Sequence, residues 1–380
     1  MLYDLDSRIP NLALMKLSAY HKRQGDQTVL SKDLRWVPGD RYYASTVFHN
    51  GKSLAKVDLL QRRHGSSIEI GGSGLSLSLR LPPEVEECFP DYSLYGHSSY
   101  AIGFLTRGCP KRCRFCLVPT KEGRLRTAAT FDEFVPPGQR HVMLLDDNLL
   151  ASPNADELLE QIIRRRYAVN FSQTLDITYL DRHKYELLQR VDSRNARFTK
   201  RMVYFSCNGV AGAGQFIARK DMLLGFGKDS VSVVSMYGFD TRLSEDYQVL
   251  RMIQRLRLIP FLQEYQPIPG VPSRVPADFF DCDLDSVIRM TFRSNGQNWE
   301  KYLRWLNRLY FSRFGRYYLP LLRTIYRYNH REGIQRYLSH PELLTEDLYH
   351  RYGQPAGPAA QEFGPRAAAA GAASPRAAKN

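Results

Sequence analysis

What this sequence lacks narrows the field first. No apolar run approaches the roughly 18 residues that a membrane-spanning helix needs. The N-terminus, Met1-Leu-Tyr-Asp-Leu-Asp-Ser7, has neither the basic start nor the apolar stretch of a secretory signal. Cysteine is scarce, with six in 380 residues, and Cys88, Cys207 and Cys282 stand alone. No even disulfide framework is laid out, so a cytoplasmic protein without a membrane partner is expected. Acidic residues are outnumbered, 39 against 53 Lys and Arg, for a net charge of +14. A basic surface draws nucleic acid, acidic proteins or phosphorylated metabolites. Nucleic acid is therefore kept as a partner class, although solvated charge, inflated by the arginine bias of GC-rich coding, is the plainer account.

The remaining three cysteines are concentrated in one stretch, Thr106-Arg-Gly-Cys-Pro-Lys-Arg-Cys-Arg-Phe-Cys-Leu-Val118, directly after the apolar run 101–105. Cys109, Cys113 and Cys116 can face one metal centre, and sulfur at this density favours zinc or an iron–sulfur cluster. Structural zinc takes four protein ligands. Three thiolates on a four-iron cubane leave one iron open to a small molecule. The competing readings are a zinc knuckle completed by Cys88 or His97, and three cysteines that merely share a core.

The motif Cys-x3-Cys-x2-Cys, with Phe115 just before its last cysteine, resembles the signature of the radical S-adenosylmethionine (radical SAM) superfamily. The match continues through Lys121-Glu-Gly-Arg124 and weakens beyond residues 101–270. The resemblance implies a 4Fe–4S cluster on the three cysteines, with S-adenosylmethionine chelating the open iron. It also implies a reducing partner of flavodoxin or ferredoxin type, which Lys111, Arg112 and Arg114 would help to dock while they stabilise thiolates. The implied reaction is reductive cleavage of the cofactor to a 5′-deoxyadenosyl radical that abstracts hydrogen from a substrate.

Around this motif the chain reads as α/β. Short apolar runs at 101–105, 141–145, 168–171, 202–205, 231–236 and 259–265 alternate with amphipathic stretches at 155–166, 182–191, 214–224 and 244–256. Spacing alone fits an open doubly wound sheet as well as a barrel. The resemblance implies a partial (β/α)6 TIM-type barrel over residues 96–270. Upstream, residues 1–95 read as a small α/β unit with a helix from Pro10 to Gly25 and a Gly71-Gly-Ser-Gly74 turn, which is weak evidence for phosphate binding. This part resembles a short Rossmann-like domain that binds cobalamin in some relatives. It lacks Asp-x-His-x-x-Gly, as some cobalamin-binding relatives also do, and it is its shortness that favours a degenerate domain over a cobalamin site. Residues 271–353 read as a helical region rich in Tyr and Arg, including Trp305, Tyr310, Phe314, Tyr317, Tyr318, Tyr326, Tyr328 and Tyr337. There packing is favoured over stacking on bases. Residues 354–380, dominated by Ala, Gly and Pro, read as disordered.

Function in parallel β/α architectures collects at the carboxyl ends of the strands. Asp146, Asp147 and Asn148 follow the second run, where the family usually carries a Gly-Gly-Glu-like motif that binds the methionine amino group. Carboxylates are present here without the glycines, and capping of the next helix is the alternative. Ser172, Gln173 and Asp176 follow the third run, and Ser206 and Asn208 the fourth, as further candidates for the cofactor or substrate. Nothing in the sequence identifies the substrate.

Overall fold

The computed structural model describes residues 1–96, 99–291 and 297–328. His97, Tyr337, the later part of the Tyr/Arg-rich region and the 354–380 tail lie outside the described residues. The chain divides into two units, Met1–Phe279 and Phe280–Asn380. Among the described residues no helix is long and apolar enough to cross a membrane.

The first unit begins with a parallel sheet, β1 (Leu2–Asp4), β2 (Leu30–Ser31), β3 (Tyr42–Ser45) and β4 (Ile68–Gly71), in the order β2-β1-β3-β4. Helix α1 (Leu12–Arg23) starts where Asn11 accepts the Leu14 N–H at 3.3 Å, two residues after the expected Pro10. Helix α2 (Gly51–His64) was not legible in the apolar spacing, because it buries only Ser53, Val57 and Leu60. Its signal was local: Asn50 accepts from Ser53 N–H, and the last turn carries Arg62, Arg63 and His64.

The strand order changes direction between β1 and β3, and ligands of open α/β sheets bind in the crevice at that point. Here the crevice holds a side chain. The Asp6 carboxylate accepts from Thr46 Oγ1 (2.7 Å), Val47 N (2.7 Å), Phe48 N (3.1 Å) and Ser53 Oγ (2.6 Å). The glycine turn closes over the same loop. Gly72 has φ of 101°, and a Cβ there would lie 2.0 Å from the Thr46 carbonyl oxygen. Close backbone approach therefore accounts for glycine in this turn.

The rest of the unit is built on two parallel sheets. The first, in the order β11-β9-β8-β5, contains β5 (Ala101–Gly103), β8 (His141–Leu144), β9 (Ala168–Phe171) and β11 (Asp192–Ser193). The second, in the order β10-β12-β13-β14, contains β10 (Leu175–Asp176), β12 (Val203–Ser206), β13 (Val231–Tyr237) and β14 (Ile259–Glu264). All six expected runs contain a strand. The chain steps from one sheet to the other through residues 172–174, with Thr174 at φ of 73°. A two-stranded antiparallel ladder, β6 (Thr106–Arg107) with β7 (Arg126–Thr127), stands apart from both sheets.

Two short helices, α3 (Pro83–Glu86) and α4 (Val118–Lys121), lie outside the β/α alternation. Helices α5 (Ala155–Arg165), α6 (Arg182–Arg190), α7 (Val210–Ala218), α8 (Lys220–Gly225) and α9 (Leu243–Arg255) separate the strands. The expected helix at 214–224 is instead α7 and α8, which begin earlier and break at Arg219. Helix α9 begins one residue before the expected Ser244, where Glu245 accepts the Arg242 N–H at 2.8 Å. One hydrophobic core runs through both sheets, joining Val142, Val169, Val203 and Val231 to Leu159, Leu187, Phe216 and Ile253 of the helices. A smaller cluster of Met15, Ile102 and Met143 packs α1 against β5 and β8.

In the second unit, α10 (Leu284–Thr291), α11 (Gln297–Phe314) and α12 (Leu319–Tyr328) are helical as the composition suggests. Trp299, Tyr302 and Trp305 are buried, and Phe311 stacks on Tyr317 with ring centroids 4.1 Å apart. These rings are spent on packing.

Replacing Asp6 by Ala leaves the Val47 and Phe48 N–H groups and two hydroxyls without their acceptor. A loss of about 2 kcal/mol in urea-unfolding stability is expected. A loss below about 0.5 kcal/mol would show that the carboxylate does not hold this crevice together.

Candidate functional site

The cysteine stretch leaves the first large sheet at β5, enters β6, and returns through β7. Pairing of Thr106 with Thr127 and Arg107 with Arg126 closes it into a loop. Gly108, at φ of 88°, makes the turn into the cysteines. A Cβ there would lie 2.4 Å from the Arg124 carbonyl oxygen, so no other residue fits without moving the backbone.

Three consecutive residues after β8 grip this entry. Asp146 accepts from Leu105 N (3.2 Å), Thr106 N (2.6 Å) and Thr106 Oγ1 (2.7 Å). Asp147 accepts from Gly108 N at 2.7 Å. Asn148 donates through Nδ2 to Cys109 Sγ at 3.3 Å. The strand register delivers this alignment: Gly103 pairs with Leu144, and Leu145 N donates to the Gly103 carbonyl. Asp146 and Asp147 were candidates for binding an ammonium group or for capping the next helix. Both oxygens of Asp146, and one of Asp147, are engaged by the entry to the cysteine loop.

Farther along the loop, charges tie it to the second sheet. Lys111 pairs with Asp176, just after the step between the sheets, at 2.5 Å. Asp176 also accepts from Thr178 N and Oγ1, which fixes its other oxygen. Arg114 pairs with Asp240 beyond β13 at 2.6 Å. Phe115 meets Phe239 edge-on at 6.1 Å, and Phe239 packs on Tyr265 at 4.7 Å. Reading by motif gave no role to Thr106, and Phe239 and Asp240 stood only within the stretch 234–240, which the family resemblance implies would, with 260–267, cradle adenine. Opposite charges on the cysteine loop and after a strand were the available signal. Arg107 is held by Glu86 (2.8 Å) and Glu122 (3.4 Å). Arg112 is exposed.

Burial pushes the Cys116 thiol up to about 11, and Cys113, Cys109 and Asp147 add to the shift while the Val118 N–H opposes it. Cys113 is raised by burial, with Cys109 and Asp176 adding and Lys111 opposing. Burial thus disfavours the thiolate at Cys113 and Cys116, and the charge of a bound metal is what would stabilise it. Among the described residues no three His, Cys, Asp or Glu side chains converge on a position for a single ion. One thiolate for each of three irons requires no such convergence. Cys88, once a candidate fourth zinc ligand, donates to the Glu84 carbonyl and lies 3.5 Å from Arg23 Nη1.

Two buried polar atoms at the strand ends lack hydrogen-bond partners: Asn148 Oδ1 and Ser172 Oγ. Such atoms are costly unless something supplies a partner. Ser206 is half-buried and pairs in register with Asp176, whereas Gln173 is exposed. Asn208 Oδ1 accepts the Met236 N–H at 3.2 Å.

Burial lifts the Asp146 carboxyl to about 6 against the opposing pull of its Thr106 and Leu105 donors. Asp147 reaches about 6 for the same first reason, opposed by the Gly108 N–H. A carboxyl whose folded pKa exceeds its unfolded value holds more protons when folded, so its contribution to stability falls as pH rises from about 4 to about 6. Urea unfolding at pH 4 and pH 7 should show wild type losing on the order of 2–3 kcal/mol relative to Asp146→Asn. A difference that stays flat with pH would place the carboxyl near its ordinary value.

No protein-family model and no curated protein matches the chain. Among solved structures it is similar to Streptococcus suis SuiB bound to S-adenosylmethionine, at 12% identity and a TM-score of 0.33, covering 63% of this chain and 57% of that one. A second SuiB structure matches at 12% identity and TM-score 0.33, over 64% of this chain and 56% of that one. The chain thus spans a little over half the length of those proteins, and a likeness this slight carries no argument.

Proposed function

We propose that this chain is a radical SAM enzyme that holds one 4Fe–4S cluster on Cys109, Cys113 and Cys116. The observation that carries the reading is the clamped loop: a cysteine stretch gripped from the end of β8 by Asp146, Asp147 and Asn148, beside two buried polar atoms without partners. The cysteine set fits a cluster with one open iron, and the residues around it fit its ligand. Asn148 Oδ1 is an acceptor for an ammonium group, and Ser172 Oγ can bond a carboxylate or hydroxyl. The in-order strands β5, β8, β9 with β10, β12, β13 and β14 support the partial (β/α)6 barrel. Phe115 packs on buried Phe239, and Phe239 on buried Tyr265, as an apolar wall behind the cysteine loop.

When bound, such a cluster supplies one electron that splits S-adenosylmethionine into methionine and a 5′-deoxyadenosyl radical. The chain's own part is to hold and orient. Asp146 and Asp147 fix the backbone that leads into Cys109, while Lys111 and Arg114 tether the loop to Asp176 and Asp240. Burial around Cys116 limits water at the site. A reducing flavodoxin- or ferredoxin-type partner is the expected electron source, and exposed Arg112 suits an acidic protein surface. The cobalamin-dependent variant is set aside, because Asp6 fills the crevice that a Rossmann-type sheet offers its ligand. A zinc-containing RNA-binding protein is the weaker alternative, since Tyr302 and Trp305 are buried rather than displayed for stacking.

Protein reconstituted anaerobically is expected to contain iron and acid-labile sulfide, and to form 5′-deoxyadenosine from S-adenosylmethionine with dithionite. Cys109→Ala, Cys113→Ala and Cys116→Ala should each lose the cluster, with product falling at least about tenfold, equivalent to about 1.4 kcal/mol or more in barrier height. Stoichiometric zinc without sulfide in wild type would sink the proposal.

A further inference from the structure

The cluster's three sulfurs are not equivalent in their surroundings. Cys116 Sγ receives a backbone N–H from Val118 at 3.4 Å, which any residue at position 118 other than proline would supply. Cys109 Sγ receives a side-chain N–H from Asn148 at 3.3 Å, across 39 residues of sequence. Asn148 is 3% exposed. Its backbone is held by the turn that follows, where Ala151 N donates to the Asn148 carbonyl at 3.1 Å. The amide orientation follows from charge: a thiolate accepts hydrogen bonds, so Nδ2 faces the sulfur and Oδ1 is left without a partner.

Resting on the cluster reading above, we infer that Asn148 is a positioning residue that sets the reduction potential of the cluster through its N–H···S bond to Cys109. Reduction adds negative charge to the cluster and its sulfurs. A donor aimed at one of those sulfurs stabilises the reduced form more than the oxidised form, and so raises the potential. The amide sits in a desolvated place, where such a bond is stronger than in water. Position 148 also explains its own chemistry. Asp146 and Asp147 precede it, and both serve as acceptors for backbone N–H groups. A third carboxylate there would offer no proton to Cys109 and would repel its thiolate. Asparagine keeps the size of the aspartates on the same turn and reverses the polarity of the contact. The run Asp146-Asp147-Asn148 therefore divides the work, with the aspartates holding the backbone and the amide acting on the metal ligand.

The test is an EPR-monitored redox titration of the reconstituted full chain as wild type, Asn148→Leu and Asn148→Asp, with iron and sulfide measured on each sample. Asn148→Leu removes the donor, and Asn148→Asp removes it while keeping the size and adding a negative charge. At the wild-type midpoint, the ratio of reduced to oxidised cluster is expected to fall about threefold to tenfold in Asn148→Leu. It should fall further in Asn148→Asp. Tenfold corresponds to 59 mV for one electron. A retained cluster with unchanged potential in either variant overturns the inference and leaves the cluster reading standing. Loss of iron from both variants also overturns it, because Asn148 would then be needed to hold the loop rather than to tune it. Wild type without iron and sulfide removes the cluster reading and this inference together.

Discussion

Everything at the candidate site depends on the bonds from Asp146 to Leu105 and Thr106. A carboxylate buried this deeply loses its hydration, and that loss is tolerable only where donors replace water. The chain supplies two backbone N–H groups and a hydroxyl, and even these do not offset burial fully, since the carboxyl remains raised to about 6. The strain is local and the return is geometric: the residues leading into the cysteines are held from a neighbouring strand. Asp147 and Asn148 extend the contact farther along the loop, to Gly108 and then to Cys109.

Register makes this alignment available. In a parallel pair successive residues alternate between faces, so a slip of one residue between β5 and β8 would carry Asp146 away from Thr106. The buried runs Ala101–Gly103 and His141–Leu144 resist such a slip, because Ile102, Val142, Met143 and Leu144 would lose their packing. The hydrophobic core, which includes Leu105 itself, thus specifies a polar contact at its edge. Lys111 and Arg114 then hold the loop against the second sheet, where parallel strands again fix where Asp176 and Asp240 stand.

Periodicity and breakers made the strands and most of the helices legible, because burial imposes period on apolar residues. Helix α2 escaped notice because a helix lying on the sheet with only Ser53, Val57 and Leu60 buried writes a faint stripe. The cysteine spacing pointed to metal-ligand chemistry. The acidic pair after β8 announced only that acceptors were wanted, and which donors they would meet was beyond local pattern. Thr106 and Gly108 lie some 40 residues away, and only the fold brings them near. The Gly71–Gly74 turn shows the same limit: spacing could not tell a phosphate from the Thr46 carbonyl as the group approached.

The separation of 39 residues between Cys109 and Asn148 has a consequence for synthesis. The thiols are translated before the segment that shields them exists. At about 5–20 residues per second, they wait about 2–8 s for the rest of the clamp to be translated, longer if β8 must first dock. For that interval they are ordinary reactive cysteines, open to oxidants and to stray zinc. Whatever these thiols are to bind therefore competes with chemistry that begins on the nascent chain.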